Sequence, residues 1–423
     1  MARAPRQRRS LSMPRTAGRV ISDGRRDLAE AAVAALRAPG VDHDIADSLT
    51  HPFHSYPARL HPATARILVD VIGGGVGKGA AILDPFCGSG TVLVEARAAG
   101  MRAIGVDLNP LAILVARAKT WTPSARRRKE LRDVGHTISG AVQASGKAAR
   151  RSGAEPMPER RPIGFDPNAR NRRLAAWFAP HVRRELEQLA YHLDELRDRD
   201  PELADILTAC LSAILYKVSS RTSDTDDTWV DRNIARGAAA RNFAMRLDLL
   251  VAGLDDLSRG SGPPTALHQI DARALANVIP AGSVAGIVTS PPYAGTYDYA
   301  DHQRLRFDFL ALRHREMDSG EIGSRRSFAN SQAAERAWRK ALADSLDEFT
   351  RALAPNCGAA IVIGDSFAGG RANFALDDLR SAITDDLVID AWASQQRPML
   401  GAAERNAFGE RGKSEHVVLL RRQ

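Results

Sequence analysis

Hydrophobic residues along this 423-residue chain change their spacing several times, and each change marks a boundary. Residues 46–120 alternate between apolar runs of strand length and amphipathic stretches of helix length, and the same alternation resumes near residue 265 and continues to residue 423. This alternation predicts a parallel sheet with right-handed crossovers, and therefore an α/β fold. The last two strands, "LVIDAWA" and "HVVLLRR", are expected to form an antiparallel hairpin at one edge.

The remaining regions follow other patterns. Residues 121–168 are basic and poor in large apolar side chains, which predicts a mobile linker. Residues 169–264 carry apolar positions at helical spacing, which predicts an inserted helical subdomain and a candidate region for recognising a DNA target. Residues 1–45 predict a disordered basic arm, residues 1–22, followed by a short helix that ends at Pro39 and Gly40. An organellar transit peptide would have the same composition as the arm and stays an alternative.

The charge of the chain favours an anionic partner. The formal net charge is +9 and the pI is about 9.8, and 52 of the 59 basic residues are arginine. Guanidinium groups pair with phosphate in a two-pronged geometry, which favours a nucleic acid, although a GC-rich coding genome would also enrich arginine. Arg221, Arg232 and Arg236 are candidate phosphate contacts, and internal pairing with Asp224, Asp226 and Asp227 is the alternative.

Composition also argues against several classes of protein. No run of about 18 apolar residues occurs, so no membrane span is expected. The three cysteines are far apart, which argues against a disulfide framework and a cysteine zinc site and fits a reducing cytoplasm. The spacing of His51, His54 and His61 matches no common metal pattern, so no metal is predicted.

The stretch "ILDPFCGSGTVLVEA" places a strand, a glycine loop and a helix start in one line. Gly88 and Gly90 let the backbone approach a ligand, and the amides at the helix start favour an electron-rich group. The third glycine of a dinucleotide fingerprint is missing, and so is the GK[ST] ending of a phosphate loop. A tight strand-to-helix turn is the structural alternative.

Two acidic residues narrow the choice of ligand. Asp107 ends the next strand, about 20 residues past the loop, where a carboxylate can accept both ribose hydroxyls of an adenosine. Asp271 ends the strand after the insert and is placed to reach the adenine amino group. Together these residues indicate an adenosine cofactor without a pyrophosphate, which S-adenosylmethionine (SAM) fits. A helix cap at Asp107 and a loop role for Asp271 are the alternatives.

The motifs "DPFCGSGT" and "TSPPY" together resemble the SAM-dependent amino-group DNA methyltransferases of the TSPPY branch, which methylate cytosine N4 or adenine N6. The resemblance covers about residues 50–120 and 265–423 and implies a Rossmann-like SAM-binding catalytic domain there. The upstream "HPFHSYPARLHP" is similar to the family segment that contacts the methionine end of SAM, with Arg59 where relatives often have lysine. The resulting cofactor-binding residues are Tyr56, Arg59, Asp84, Pro85, Phe86, Gly88, Ser89, Gly90, Thr91, Asp107, Asn109 and Asp271.

The resemblance also implies a catalytic tetrapeptide, which comprises Ser290, Pro291, Pro292 and Tyr293. The Ser290 hydroxyl and the Pro291 carbonyl would accept the amino hydrogens of the target base, and Tyr293 would stack on that base after it flips out of the duplex. Tyr297 and Tyr299 either extend the base pocket or belong to the scaffold, where Asp298 would hold a turn. No cysteine follows a proline, which argues against the covalent route of cytosine-C5 methyltransferases.

These inferences favour a cytoplasmic enzyme of a restriction-modification or defence system that methylates cytosine N4 in double-stranded DNA. Adenine N6 in DNA is the first alternative, and an RNA base on the same fold is the second. A helical nucleic-acid-binding protein with an inactive methyltransferase domain is the third, against which the intact motifs argue. The position of the insert departs from the family, because relatives more often carry it beside the catalytic motif.

Overall fold

Strands and helices follow one another largely as the apolar pattern predicts. The computed structural model describes residues 18–77, 79–152, 177–223, 226–230, 232–260, 262–313, 317, 320–328 and 332–423. The strands in this part of the chain are β1 Val20–Gly24, β2 Ala81–Asp84, β3 Arg102–Val106, β4 Arg221–Ser223, β5 Asp226–Trp229, β6 Ala266–His268, β7 Val284–Thr289, β8 Leu353–Gly364, β9 Ser366–Ala368, β10 Arg371–Asn373, β11 Leu387–Arg397 and β12 Lys413–Arg422.

Fourteen α-helices are found within the same described ranges. They are α1 Arg26–Arg37, α2 Pro62–Gly73, α3 Thr91–Ala98, α4 Pro110–Thr120, α5 Ala125–Ser152, α6 Pro180–Arg197, α7 Pro201–Leu215, α8 Ala238–Ser258, α9 Tyr299–His302, α10 Arg304–Leu310, α11 Arg325–Phe328, α12 Gln332–Ala352, α13 Ala375–Ala382 and α14 Ala402–Phe408. No helix among the described residues is long and apolar enough to cross a membrane.

Eight strands form one sheet in the order β1-β11-β12-β8-β7-β2-β3-β6. The neighbours from β8 to β6 are parallel, whereas β12 runs antiparallel to both β8 and β11. The predicted α/β class, a Rossmann-like sheet with helices, is confirmed, and the predicted terminal hairpin is β11 and β12. Strand β1 pairs outside the hairpin, so β1 and not β11 forms that edge.

Successive residues of the central strands pack on opposite faces, as the two-residue period of a strand requires. Ile82 in β2 and Val417 in β12 belong to a core with α1, α2 and α3. Their neighbours Leu83 and Val418 belong to a second core with α12 and α13. Because both faces are buried, the central strands are apolar throughout, which is typical of parallel sheets.

Helices α5 to α8 pack against the neighbouring elements of the sheet region through a shared core. Apolar residues of α5, α6, α7 and α8 form one buried cluster with α4, with Phe53 and Tyr56, and with α10. The helices predicted within residues 169–264 are confirmed for the described positions. The division of the chain into domains and the use of this region for target recognition stay predictions.

Two predictions about flexible segments were wrong. Helix α5 occupies much of the predicted linker 121–168, because Leu131, Ile138 and Val142 form a narrow buried stripe within a basic sequence. Residues 153–168 lie outside the described part of the chain. Strand β1 falls partly within the predicted disordered arm, because its backbone pairs with β11 and not because of its own composition. Residues 1–17 of the arm are also outside the described part.

Candidate active site

A large cavity opens at the carboxyl ends of β2, β3, β6 and β7. Its empty volume is about 950 Å³, including the part open to solvent. Open α/β sheets bind their ligands at this edge, where consecutive strand ends lie side by side. The wall includes every predicted cofactor residue except Gly90, namely Tyr56, Arg59, Asp84, Pro85, Phe86, Gly88, Ser89, Thr91, Asp107, Asn109 and Asp271.

The glycine loop turns tightly between β2 and α3. Gly88 has φ +48° and Gly90 has φ +78°, a left-handed conformation that favours glycine. A Cβ atom on Gly90 would lie 3.1 Å from the Cβ of Ala116, so this glycine also lets α3 begin close to α4. Gly90 therefore shapes the loop without lining the cavity.

The Asp107 carboxylate fastens the glycine loop to the end of β3. Its Oδ2 accepts a hydrogen bond from the Gly88 amide at 2.8 Å, and its Oδ1 accepts one from the Asn109 amide at 2.8 Å. Burial raises the pKa of Asp107 to about 6, although the two amide donors oppose the rise. Each oxygen keeps a further lone pair for a ligand hydroxyl. Asn109 caps α4 through the Leu111 amide at 2.9 Å, so the helix cap considered for Asp107 is at Asn109.

A buried hydrogen bond joins the two sequence motifs. Asp84 Oδ1 accepts from the Thr289 hydroxyl at 2.7 Å and from the Phe86 amide at 3.2 Å. Burial raises the pKa of Asp84 to about 7, and these donors oppose the rise. The bond holds the end of β7 against the end of β2, so the glycine loop and the "TSPPY" segment occupy fixed relative positions.

Several groups in the cavity wall fit the amino-acid end of SAM. Ser89 Oγ and Thr91 Oγ1 are buried and have no hydrogen-bond partner within the described residues. Buried hydroxyls without partners are rare, and a ligand carboxylate or amine would satisfy them. Arg59, whose Nη1 donates to the His51 carbonyl at 2.7 Å, adds a cation to the same wall. The residues present therefore fit the predicted cofactor.

A smaller cavity of about 460 Å³ adjoins the first. Ser290, Pro292 and Tyr299 line both cavities, and Pro291, Tyr293 and Tyr297 line the smaller one alone. All four predicted catalytic residues therefore line the smaller cavity, and two of them, Ser290 and Pro292, form the wall that it shares with the larger one. The Pro292 carbonyl accepts from the Trp338 ring at 3.0 Å, which fixes the turn after β7.

Tyr293 is anchored at both ends of its side chain. Its hydroxyl donates to Glu415 Oε1 at 3.1 Å, and Glu415 in turn pairs with Arg397. Its ring lies on the backbone of Gly364, where a Cβ atom would come within 2.6 Å of Tyr293 Cε2. Burial raises the pKa of Tyr293 well above its ordinary value, so the phenol is neutral.

The "YDY" stretch lines the smaller cavity and holds a turn, and its use as a base pocket stays a prediction. The rings of Tyr297 and Tyr299 stack at 5.4 Å between centroids and line the smaller cavity. Asp298 accepts from the Ser324 hydroxyl at 2.7 Å and from the Arg326 amide at 3.0 Å, so it holds a turn.

Glu321 lines the larger cavity and was missed by sequence reasoning. Its Oε1 accepts from the Tyr299 amide at 2.6 Å, and burial raises its pKa to about 7. No motif surrounds this residue, and only the packing of its segment against α9 brings it to the site.

Asp271 lines the same cavity, but its carboxylate is engaged. Burial tends to raise the pKa of Asp271, but the Arg273 side chain and amide outweigh this effect and lower it. Arg273 Nη2 donates to Asp271 Oδ2 at 2.5 Å, and the Arg273 amide donates to Oδ1 at 2.8 Å. The loop role considered for Asp271 is therefore present beside its position in the cavity wall.

The three histidines considered for a metal have structural contacts. His51 Nε2 is 2.6 Å from Glu95 Oε1, His54 Nε2 is 3.0 Å from Ser212 Oγ, and His61 caps α2. Within the described residues, no group of three or more His, Cys, Asp or Glu side chains could hold a metal ion.

The predicted phosphate-contacting arginines lie away from both cavities. Arg221 stands over the Trp177 ring at 4.6 Å, and Arg232 Nη1 donates to the Lys217 carbonyl at 3.3 Å. The Arg236 carbonyl accepts from Arg241. The acids considered as their internal partners have side chains outside the described part, so both interpretations stay predictions.

Comparison with known proteins gives partial matches. Residues 52–149 match the RMKL-like, methyltransferase domain family. The chain is 40% identical over 72 residues to the Type II methyltransferase M.MvaI of Kocuria varians. It is 44% identical over 54 residues to the tRNA (guanine(10)-N2)-dimethyltransferase of Methanothermobacter thermautotrophicus. These stretches cover 17% and 13% of this chain, and the chain spans 16% of the length of either relative.

Solved structures match this chain at low similarity. TrmN from Thermus thermophilus gives a TM-score of 0.34 at 12% identity, covering 86% of this chain and 49% of that chain. A SAM-dependent methyltransferase from Methanosarcina mazei gives 0.31 at 10% identity, covering 83% and 96%. Scores this low carry no argument about function. The sequence matches support a SAM-dependent methyltransferase domain in the matched part of the chain.

Proposed function

We propose that this protein transfers a methyl group from SAM to the exocyclic amine of a base flipped out of double-stranded DNA, with cytosine N4 as the preferred target. One observation carries the proposal: Ser290 and Pro292, just after β7, line both cavities. A wall shared in this way can hold an amine on one side and face a methyl donor on the other. The similarity to a Type II methyltransferase supports DNA as the polymer.

The first task of the site is to make the amine a better nucleophile. The lone pair of an exocyclic amine is delocalised into the ring, so attack requires a more tetrahedral nitrogen. Ser290 Oγ and the Pro291 carbonyl would accept the two amine hydrogens and favour that geometry. The prolines bring no N–H donor to compete for these acceptors.

The second task is to hold the two reactants in line. SAM supplies an electrophilic methyl group when bound. Arg59, Ser89 and Thr91 would hold its amino-acid end, and Asp107 would hold its ribose hydroxyls. Burial raises the pKa of the Cys87 thiol well above its ordinary value, which disfavours a thiolate and supports direct transfer.

The third task is to hold the flipped base. Tyr293, Tyr297 and Tyr299 line the smaller cavity with aromatic surface. Stacking on such surface offsets part of the unstacking cost, which is on the order of a few kcal/mol. The neutral Tyr293 phenol keeps its bond to Glu415, so its ring stays fixed while a base enters.

An RNA base is the second candidate substrate, because one of the matched relatives is named as a tRNA dimethyltransferase. Adenine N6 in DNA would use the same pair of acceptors and differs only in the shape of the base.

The deciding experiment incubates the protein with methyl-labelled SAM and either double-stranded DNA or bulk tRNA, followed by nucleoside mass spectrometry. We expect N4-methylcytosine from DNA and no label in tRNA. N6-methyladenine from DNA would change the base but keep the polymer. Label in tRNA alone would overturn the DNA proposal, and no label despite measurable SAM binding would indicate an inactive domain. Tyr293→Ala should retain SAM binding and lose transfer, which separates the two cavities.

A further inference from the structure

An aromatic row connects the smaller cavity with the surface hairpin β4–β5. Tyr297 stacks on Tyr299 at 5.4 Å and contacts the His302 ring at 5.5 Å between centroids. The Tyr216 hydroxyl donates to the His302 carbonyl at 2.6 Å. The Trp177 ring is 5.9 Å from Tyr216 and 5.6 Å from Trp229. The row therefore consists of two groups of rings, Tyr299–Tyr297–His302 and Tyr216–Trp177–Trp229, which this hydrogen bond to the main chain of His302 joins.

Trp229, at the outer end of this row, is exposed and yet held in place. It is 53% exposed, and it is the one aromatic among the exposed large hydrophobic residues of the described chain. Trp177 lies against one side of it, and the Arg221 guanidinium is 5.9 Å from its ring. The Val230 amide donates to the Ser220 carbonyl at 2.8 Å, which fixes the strand that carries Trp229. A rigid, solvent-facing indole is a ready stacking surface, because little entropy is lost when a ligand binds it.

Two arginine side chains belong to the same region of the chain. Arg221, in β4, stands over Trp177 at 4.6 Å, and Arg232, which follows β5, donates to the Lys217 carbonyl at 3.3 Å. Aromatic faces combined with neighbouring cations are the usual means of binding unpaired nucleotides, since the ring stacks on a base and the cations attract the phosphates. A purely apolar ligand would gain nothing from the neighbouring cations, which therefore favour an anionic one.

We propose that Trp229 stacks on an unpaired nucleotide that flanks the target base on the same DNA strand. This inference rests on the proposed function, because the row ends at the cavity that would hold the flipped base. Flipping one base weakens the stacking of its neighbours, and a second stacking contact outside the cavity offsets that cost. Trp229 would thus act on substrate affinity and on the choice of flanking sequence.

The test uses the full-length protein, labelled SAM and a duplex that contains one methylation target. Abasic sites are placed singly at each flanking position of the target strand. For the wild type, we expect one flanking position at which the abasic site raises KM by about 5- to 100-fold, the range for one lost base–aromatic stack. Trp229→Ala should raise KM by a similar factor on intact DNA, leave kcat and SAM affinity unchanged, and no longer respond to that abasic site. Trp229→Phe should retain most of the affinity.

Leu400→Ala is the matched control, because Leu400 is another exposed apolar side chain, 72% exposed, outside the row. It should leave KM unchanged. Wild-type KM values that are equal for every abasic duplex would overturn the inference and leave the proposed methylation of DNA intact, whatever the fate of the variants. Equal KM values for Trp229→Ala and wild type on intact DNA would also overturn the inference about Trp229 and leave the proposed methylation of DNA intact. Transfer by the wild type to tRNA alone would overturn both.

Discussion

Ser290 lines both cavities. If it accepts an amine hydrogen in the transition state, Ser290→Ala should lower kcat by roughly 10²-fold, as loss of one oriented hydrogen-bonding group does in other active sites. SAM affinity should change little, because Ser290 is not among the residues proposed to hold the cofactor. Single-turnover methylation and equilibrium SAM binding, measured in parallel, check this. An unchanged single-turnover rate in Ser290→Ala would show that the Ser290 hydroxyl takes no part in methyl transfer.

Asp107 provides a prediction about pH. Its pKa is raised to about 6 by burial, and only the ionised form has both oxygens available as acceptors for ribose hydroxyls. The affinity for SAM should therefore be full above pH 7 and fall as the pH drops through about 6, by up to about tenfold per pH unit. Titration of SAM by calorimetry between pH 5 and 8 would show the inflection.

Variants distinguish Asp107 from its neighbour Asp84, whose pKa is about 7. Asp107→Asn should weaken SAM binding at every pH and abolish the inflection near pH 6. Asp84→Asn should keep that inflection, because Asp84 accepts from the Thr289 hydroxyl and the Phe86 amide and is not the carboxylate proposed to hold the ribose. If the inflection near pH 6 persists in Asp107→Asn, it belongs to the titration of another group.

At this scale the sequence predicts residues that belong to a motif and misses those that depend on packing. The glycine loop and "TSPPY" follow strands directly, so the parallel sheet alone brings Asp107 and Ser290 to one edge. Glu321 reaches the cavity through a contact with the Tyr299 amide, which no local pattern encodes. For Asp271 the sequence offered two roles, a cofactor contact and a loop contact, and could not reveal the hydrogen bonds to Arg273.

Among the elements, α5 differs most from its prediction. Its basic composition conceals one apolar stripe, and Gly135 on that side lets the helix approach α8 closely. A Cβ atom on Gly135 would lie 2.3 Å from Leu247 Cδ2. The low average hydrophobicity of this segment therefore led to the wrong prediction of a linker, since a helix needs only one apolar face to pack.

Two alanine substitutions in α5 test this packing. Gly140→Ala should stabilise the protein by about 0.5–1 kcal/mol through helix propensity, because nothing lies within 4 Å of its added Cβ atom. Gly135→Ala gains the same propensity but forces Leu247 to move, so it should be less stable than Gly140→Ala by about 1–3 kcal/mol. Urea unfolding of both variants measures the difference. Equal free energies of unfolding would mean that α5 does not pack on α8 in solution.

Strand β1 and the hairpin β4–β5 illustrate why short elements escape prediction. Three to five residues carry too few alternations to be recognised, and both gain their hydrogen bonds from a partner strand. The long strands and helices of the sheet domain were predictable because each has its own apolar pattern.

For the whole molecule, the helical insert and the sheet domain are expected to unfold together. Arg306 of α10 is fully buried at their junction. Its Nη2 donates to the Ser55 carbonyl at 3.2 Å, its Nε donates to the Ser212 carbonyl at 3.4 Å, and its guanidinium lies 4.6 Å from the Tyr216 ring centroid. One side chain thus joins the segment before the glycine loop, the insert and the helix after "TSPPY".

Arg306→Leu should therefore destabilise the protein by about 2–4 kcal/mol, because it leaves buried carbonyls without donors. Arg304→Ala on the same helix is the control, since Arg304 is partly exposed and its contact with Asp301 at 3.5 Å contributes at most about 1 kcal/mol. Urea unfolding followed by both fluorescence and circular dichroism should give one coincident transition for the wild type. Two separate transitions would show that the insert folds independently.

The position of β12 has a consequence for how the protein is made. This strand enters the sheet between β8 and β11, although it follows both of them along the chain. A chain leaving the ribosome can therefore form the glycine loop and its parallel strands early, while β11 and β1 must wait for residues 413–422 before they join the sheet. Glu415, which anchors Tyr293, arrives with that same strand. A growing chain can thus complete the proposed cofactor side of the site before the proposed base side, and a nascent chain that stops short of β12 lacks the carboxylate that anchors Tyr293.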